Sequence, residues 1–200
     1  MYAIVTDNEI TKLITNPKSM VIGDVQYPAK IFSVWSASEL NAIGIYEVVF
    51  DDSNKKDEKW YINTNQSYDF DGNEVTASYG TATPKAHADR NGTDEDGVEL
   101  NPVVVIEGLK TKLIKDLKLQ VANELAKTDW YITRNTEKST AIPSAISTHR
   151  DAVRTKQTSM ETAITNASDT PALETLYTYT TDSDGVQQPR PLGELPTLES

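Results

Sequence analysis

The chain has 200 residues, and its 19 Lys and Arg against 30 Asp and Glu give a net charge of −11. This acidic balance repels phosphate and argues against nucleic acid as a partner, and the lack of cysteine excludes disulfides and thiolate metal sites. Hydrophobic residues make up 38% of the chain, which allows a lean core, and no apolar run reaches the roughly 18 residues of a membrane span.

The first 80 residues are predicted to form a small β-rich domain with one short helix. Ser36 and Glu39 have the spacing of a capping box, and Gly44 suits the left-handed position after the helix that they begin. The turn pair Asp71-Gly72 is expected to join the last two strands. The predicted strands are Tyr2–Val5, Thr11–Ile14, Met20–Ile22, Val25–Tyr27, Tyr46–Phe50, Trp60–Ile62 and Val75–Tyr79.

Residues 81–102 are predicted to be a linker, because they are rich in Pro, Gly and acids and have no apolar period. Residues 103–178 are predicted to be an antiparallel helical hairpin, with helices over 103–127 and 144–168 and a short third helix from Thr170 to about Tyr177. Residues 179–200 are expected to be an extended acidic tail that contains Pro. The fold class is therefore α+β.

Common enzyme motifs are absent, so no catalytic residue, cofactor or metal is assigned and the chain is predicted not to be an enzyme. The histidines are His87 and His149, too few for a three-histidine zinc site. Three Asp-x-Asp-Gly patterns resemble half of a calcium loop but lack its outer ligands, so each is interpreted as a turn. They begin at Asp69, Asp94 and Asp182.

Two stretches of the sequence carry a resemblance to proteins of tailed bacteriophages. Leu125–Tyr131 reads Leu-Ala-Lys-Thr-Asp-Trp-Tyr, and Arg134, Ile142-Pro143, His149-Arg150 and Val153-Arg154 follow it. This order resembles the C-terminal signature of phage tail-fibre assembly proteins and tail assembly chaperones. A weaker stretch resembles the N-terminal region of tail-fibre-associated proteins and contains Tyr27-Pro28-Ala29, Glu39-Leu40 and Gly44–Val48. Together the two resemblances touch residues 1–50 and 103–155.

The resemblance implies a non-enzymatic protein that binds tail-fibre or baseplate components and assists their assembly or attachment. It implies those phage proteins as partners, allows a homo-oligomer in the tail, and gives no role to nucleic acid or membrane. It places the protein in the host cytoplasm during assembly. His149 and Val153 stand where the family usually has Tyr and Leu. Members of the family commonly end soon after the second Arg, whereas this chain continues for 46 residues after Arg154. Whether the protein stays in the virion is therefore left open.

The partner-binding residues suggested by this region are Trp130, Tyr131, Arg134, Arg150 and Arg154. Their arginines form a local basic cluster near one end of the predicted hairpin, which would bind an acidic or carbonyl-rich surface. On that hypothesis, charge reversal at Arg150 and Arg154 abolishes binding and leaves the thermal midpoint near that of the wild type. The alternative is that the arginines only form ion pairs with nearby acids, namely Asp129, Glu137 and Asp151.

Two other functions stay open from the sequence. One is a permanent structural component of the virion, as a tail, baseplate or fibre adaptor, since a lean core suits a chain that finishes ordering in an assembly. The other, more remote, is a tail-borne hydrolase of the cell wall, which would need a carboxylate pair with divergent pKa values in a cleft.

Overall fold

The computed structural model describes residues 1–198, which form two compact units, one from Met1 to Thr83 and one from Pro84 onward. The fold is mixed α+β, with a mostly β N-terminal region and helices in the C-terminal half, as the sequence predicts. No helix within residues 1–198 is long and apolar enough to cross a membrane.

The first unit is built around a five-stranded sheet with the strand order β2-β1-β5-β8-β7. Neighbouring strands are antiparallel except β5 and β8, which are parallel. The elements of this unit are β1 (Tyr2–Thr6), β2 (Glu9–Ile14), β3 (Met20–Ile22), β4 (Val25–Tyr27), α1 (Ile31–Val34), α2 (Ala37–Asn41), β5 (Ile45–Asp51), β6 (Tyr61–Ile62), β7 (Gln66–Phe70), β8 (Val75–Tyr79) and β9 (Thr83–Pro84).

Alternate residues of the sheet contribute to two separate cores, because successive side chains of a strand point to opposite faces. Val48 on β5 belongs to the cluster on one face, and Ile45 on the same strand belongs to the cluster on the other. The buried residues of the first cluster are Ala3, Val48, Val75 and Ala77. Those of the second are Ile31, Leu40 and Ile45, with contributions from α1, α2 and the β3–β4 hairpin.

The predicted signals around α2 are confirmed. The Ser36 side chain accepts a hydrogen bond from the Glu39 backbone N–H, and the Glu39 carboxylate accepts one from the Ser36 backbone N–H. Gly44 has a φ of +79°. A Cβ at Gly44 would lie 2.7 Å from the Val5 carbonyl oxygen, so both its conformation and its close approach to β1 favour glycine.

The predicted pairing of Trp60–Ile62 with Val75–Tyr79 is wrong. Strand β8 pairs with β7, and β6 pairs instead with β9. The Asp71 carboxylate accepts hydrogen bonds from the backbone N–H groups of Asn73 and Glu74, both at 2.8 Å. Such a tight turn joins the strands that directly flank it, and the strand directly before it is β7.

The second unit is mainly helical. Its elements are β10 (Arg90–Asn91), β11 (Val105–Ile106), α3 (Leu109–Ala126), α4 (Asp129–Lys138), α5 (Ser144–Asn166), α6 (Thr170–Tyr177), β12 (Thr180–Thr181) and β13 (Gln187–Gln188). Helices α3 and α5 pack along their buried stripes. The Lys110 ammonium near the start of α3 donates to the Thr165 carbonyl near the end of α5, at 2.8 Å.

Helix α3 begins at Leu109, six residues later than the predicted 103. Residues 86–89 accept hydrogen bonds from its first turn and so fix where it starts. The Asp89 carboxylate accepts from the Gly108 N–H at 2.8 Å and from the Thr111 hydroxyl at 2.9 Å. The Ala86 and His87 carbonyls accept from the N–H groups of the first two helical residues. Residues 86–89 of the predicted linker therefore satisfy the free N–H groups at this helix end.

Two β-hairpins of the second unit share one sequence pattern and one geometry. Residues 93–98 and 181–186 both read Thr-Asp-x-Asp-Gly-Val. In each, the carboxylate of the first Asp accepts from the N–H groups two and four residues later. The same pairing across the turn, Thr93 with Glu99 and Thr181 with Gln187, follows in both. Two of the three Asp-x-Asp-Gly patterns are therefore copies of one turn.

The predicted extended tail contains the second of these hairpins and a buried contact. The Leu192 side chain is buried, and its N–H donates to the Leu176 carbonyl at the end of α6, at 3.0 Å. The tail is therefore attached to its own unit at Leu192. Residues 199–200 of the predicted tail lie outside the described residues.

Gly108→Ala should destabilise the protein by about 1–3 kcal/mol, because the new Cβ would lie 2.4 Å from the Ala88 carbonyl carbon and oxygen. Chemical unfolding followed by helical circular dichroism measures this loss. Lys112→Ala, at an exposed position of the same helix, is the control and should change the stability by less than about 0.5 kcal/mol. Equal stability of the two variants would contradict the proposed packing.

Asp89→Asn should lower the thermal midpoint at about pH 7, and this loss should be smaller at about pH 3. The bond from Gly108, then that from Thr111, and the charge of Lys115 lower the pKa of Asp89 below its ordinary 3.8. A lowered folded-state pKa stabilises the protein above pH 3.8, and this stabilisation is lost as the pH falls through the folded pKa. Thermal melts at both pH values test this, with Asp96→Asn as the control. A midpoint loss that is equally large at both pH values would contradict the assigned role of the Asp89 carboxylate.

Candidate partner-binding site

The predicted partner-binding residues lie around the junction of α3, α4 and α5. Helix α3 ends at Ala126, and α4 begins at Asp129 after a turn of two residues. The Thr128 side chain in this turn is buried, and its hydroxyl donates to the Leu125 carbonyl at 3.0 Å. The T-D-W part of the sequence pattern therefore forms the turn that separates two helices.

Arg150 on α5 holds this junction together. Its Nη1 donates to the Leu125 carbonyl at 2.8 Å, to the Thr128 hydroxyl at 2.7 Å and to the Asp129 carboxylate at 2.8 Å. The carbonyl belongs to the last turn of α3, where carbonyls lack helical partners, so the guanidinium also caps that helix. Arg150 is only 8% exposed. It is an interior residue of the junction, and its guanidinium is already bound within the chain.

A second buried pair lies one turn back along α3. The His149 side chain is buried, and its Nε2 is 3.3 Å from Oε1 of Glu124 but makes no hydrogen bond among the described residues. Glu124 also pairs with Lys127. The hydrogen bond from Lys127, together with the Lys127 charge, holds the pKa of Glu124 below its ordinary value. The His-Arg pair of α5 thus faces acidic groups of α3 and α4.

Helix α4 presents an aromatic and cationic face. The Trp130 and Tyr131 ring centroids are 3.7 Å apart, and the Arg134 guanidinium carbon lies 4.9 Å and 5.5 Å from them respectively. The three side chains form one cation–π stack, which we call the Trp130 stack. Nε of Arg134 is buried in it and has no hydrogen-bond partner in the described part of the chain.

The Trp130 stack is open to solvent, and no residue of α4 is buried. Trp130 is 51% exposed, and Ile132 is also exposed. A ten-residue helix is only marginally stable alone in water, so α4 depends on its attachment through the Arg150 junction. An exposed Trp beside a stacked Arg has the composition of an interface hot spot.

The structure thus divides the predicted site residues into three groups. Trp130, Tyr131 and Arg134 come together in the Trp130 stack. Arg150 binds the turn before α4 and its first residue, as a positioning residue, and the pairing with Asp129 that the sequence offered as the alternative is present. Arg154 lies apart on the exposed side of α5, 3.4 Å from Asp151.

The burial of Arg150 changes one expectation drawn from the sequence. Charge reversal there would place a carboxylate against the Leu125 carbonyl and the Asp129 carboxylate, so loss of fold is the expected result. The variant cannot separate binding from folding. Only the exposed members of the predicted set, the Trp130 stack and Arg154, remain suitable for that separation.

Sequence reasoning missed Thr128, Glu124 and α4 itself.

Within residues 1–198, no three His, Asp or Glu side chains are close enough together to hold a metal ion. The first Asp of two of the calcium-like patterns, Asp94 and Asp182, binds backbone N–H groups of its own turn.

Comparison with protein families, with curated proteins and with solved structures finds no match to this chain. The phage resemblance therefore stays a prediction.

Arg150→Ala should destabilise the protein by about 2–3 kcal/mol, because it removes three charge-assisted hydrogen bonds and leaves the Thr128 hydroxyl and the Leu125 carbonyl without this donor. Arg154→Ala, one turn along the same helix, should cost less than about 1 kcal/mol because its ion pair is exposed. Urea unfolding of the two variants beside the wild type measures the difference, and similar losses in both would refute the assigned role of Arg150.

Proposed function

We propose that this chain is a non-enzymatic tail protein of a bacteriophage that binds fibre or baseplate components through the Trp130 stack and assists their assembly or attachment. The observation that carries the proposal is the exposed stack on a helix without buried residues. It coincides with the residues on which the resemblance to tail-fibre assembly proteins rests. The finer architecture proposed is an antiparallel hairpin of α3 and α5, with α4 displayed at its connected end.

The charge distribution favours an acidic partner. Residues 109–156 contain ten Lys and Arg against five Asp and Glu, whereas the rest of the chain has nine against twenty-five. The helical arm is therefore locally basic on a strongly acidic chain. Of its bases, Arg150 and Lys127 are already paired within the arm. Lys112, Lys118 and Lys138 are exposed and make no ion pair among the described residues.

The chemistry proposed for this surface is recognition. Trp130 would fill an apolar pocket of the partner, and the outer N–H groups of Arg134 would donate to its carboxylates or carbonyls. The exposed lysines of the helical arm would speed encounter with an acidic surface and make binding sensitive to salt. Such an interface suits either a chaperone that leaves after assembly or a permanent adaptor of the virion.

Peptide mass spectrometry of density-purified virions and of infected lysate tests the proposal and separates its two forms. A fixed copy number per particle that matches a three- or six-fold tail would identify a permanent adaptor. Abundance in the lysate with absence from virions would identify an assembly chaperone. If the chain is found in neither place in cells infected by the phage that encodes it, the proposal fails.

Trp130→Ala should weaken partner binding by roughly thirtyfold, the loss typical of a hot-spot aromatic, and change the thermal midpoint little because α4 buries no residue. The measurement is the titre of infectious particles when the variant complements a phage lacking the gene. Thr136→Ala, at an exposed position of the same helix, is the matched control. A normal titre with Trp130→Ala, or an equal fall with Thr136→Ala, would exclude the stack as the binding surface.

A further inference from the structure

The second unit has an unusual apolar strand at an open edge. Val103, Val104, Val105 and Ile106 are consecutive in the sequence, and each is between 41% and 56% exposed. A strand in a sheet that packs on a core would hide alternate residues, but here the side chains on both faces of the strand reach solvent.

The backbone of this strand has one bonded edge and one free edge. The Gly92 N–H donates to the Val104 carbonyl at 2.7 Å, and Val105 is opposite Asn91 in the antiparallel pair. Hydrogen-bonded and non-bonded pairs alternate along an antiparallel ladder, so the N–H and C=O of Val105 point away from β10. No other strand of the described chain pairs with β11 on that side.

A free edge of this kind accepts a strand, because only another extended backbone pairs with a row of N–H and C=O groups. The incoming strand must also be apolar on both faces to match exposed aliphatic side chains above and below. Proteins usually protect such edges with charge or Pro; here Pro102 and Glu107 flank the run, but residues 103–106 themselves contain neither.

We propose that β11 pairs with β11 of a second copy of this chain, so that the two sheets join into one across a two-fold axis. The run Val-Val-Val-Ile is the only stretch of four consecutive β-branched aliphatic residues in the sequence. A second copy supplies the same strand, with the same exposed aliphatic side chains and the same outward N–H and C=O groups at Val105, so the two edges match each other. Antiparallel pairing about the two-fold axis places Val105 of one copy opposite Val105 of the other, so the outward N–H and C=O of each can bond those of its partner and the contact is self-complementary.

The chain's own charge sets a condition on this association. Each copy has a net charge of −11, so two copies repel at low ionic strength, and added salt screens that repulsion. Apolar contact between the valines is not weakened by moderate salt. The dimer should therefore strengthen as salt rises, the opposite of the salt dependence proposed for the acidic partner of the Trp130 stack. The inference does not depend on the proposed function.

Sedimentation velocity of the full chain over roughly a hundredfold range of concentration tests this, at low and at raised salt. The expected result is a monomer–dimer equilibrium that shifts toward dimer with salt. Val105→Lys should weaken it by about tenfold or more, because it places a charge within the strand pair. Val98→Lys, which changes an equally exposed valine in the same hairpin, should leave the equilibrium near that of the wild type.

Thermal melts of both variants establish that they are folded, and amide hydrogen exchange supplies a second readout. In the dimer, exchange at Val105 should slow as the wild-type concentration rises. A chain that stays monomeric throughout overturns the proposal. So does a dimer that survives Val105→Lys, or one that Val98→Lys weakens equally, since general apolar contact would then be the cause.

Discussion

The guanidinium of Arg150 is the interaction on which the helical unit depends. One side chain binds the last turn of α3, the threonine of the following turn and the first residue of α4. Helix α4 itself contributes no buried residue, so this attachment is its strongest described link to the other helices. A buried charge is costly unless its donors are satisfied, and here they bind a carbonyl, a hydroxyl and a carboxylate. The exposed stack on α4 is therefore positioned by a residue that a partner does not need to touch.

Local signals predicted from the sequence are those that the structure reproduces. The Ser36–Glu39 box and the left-handed Gly44 depend on neighbours within a few residues, and both are present. The partner of β8 was mispredicted because pairing depends on which strand directly precedes the turn, and β7 lacks a strong β-branched pattern. The start of α3 depends on Asp89, which lies 19 residues before the group it binds. Such contacts leave no periodic mark in the sequence.

The candidate site shows the same division. The sequence grouped Trp130, Tyr131 and Arg134 only through the resemblance, since α4 was not predicted. In α4, Arg134 lies four positions after Trp130 and three after Tyr131, so its guanidinium reaches both rings. It could not assign Arg150, since an arginine on an amphipathic helix has the same pattern whether it is exposed or buried. The Arg150 side chain is held in the interior by hydrogen bonds to Thr128 and Asp129, which lie more than 20 residues away in the sequence. The positive charge at position 150 therefore serves to join α3, α4 and α5.

The two surfaces proposed here lie at opposite ends of one helix. Strand β11 leads into the start of α3, and the Trp130 stack follows its end. With 18 residues, α3 is about 27 Å long. Pairing through β11 would therefore leave both copies of the stack open, and a dimer would present two binding surfaces. Two weak contacts on one particle can give a strong attachment without any new interaction, provided that their spacing matches the partner. A symmetric tail assembly offers repeated sites of that kind, so self-association and partner binding would reinforce each other.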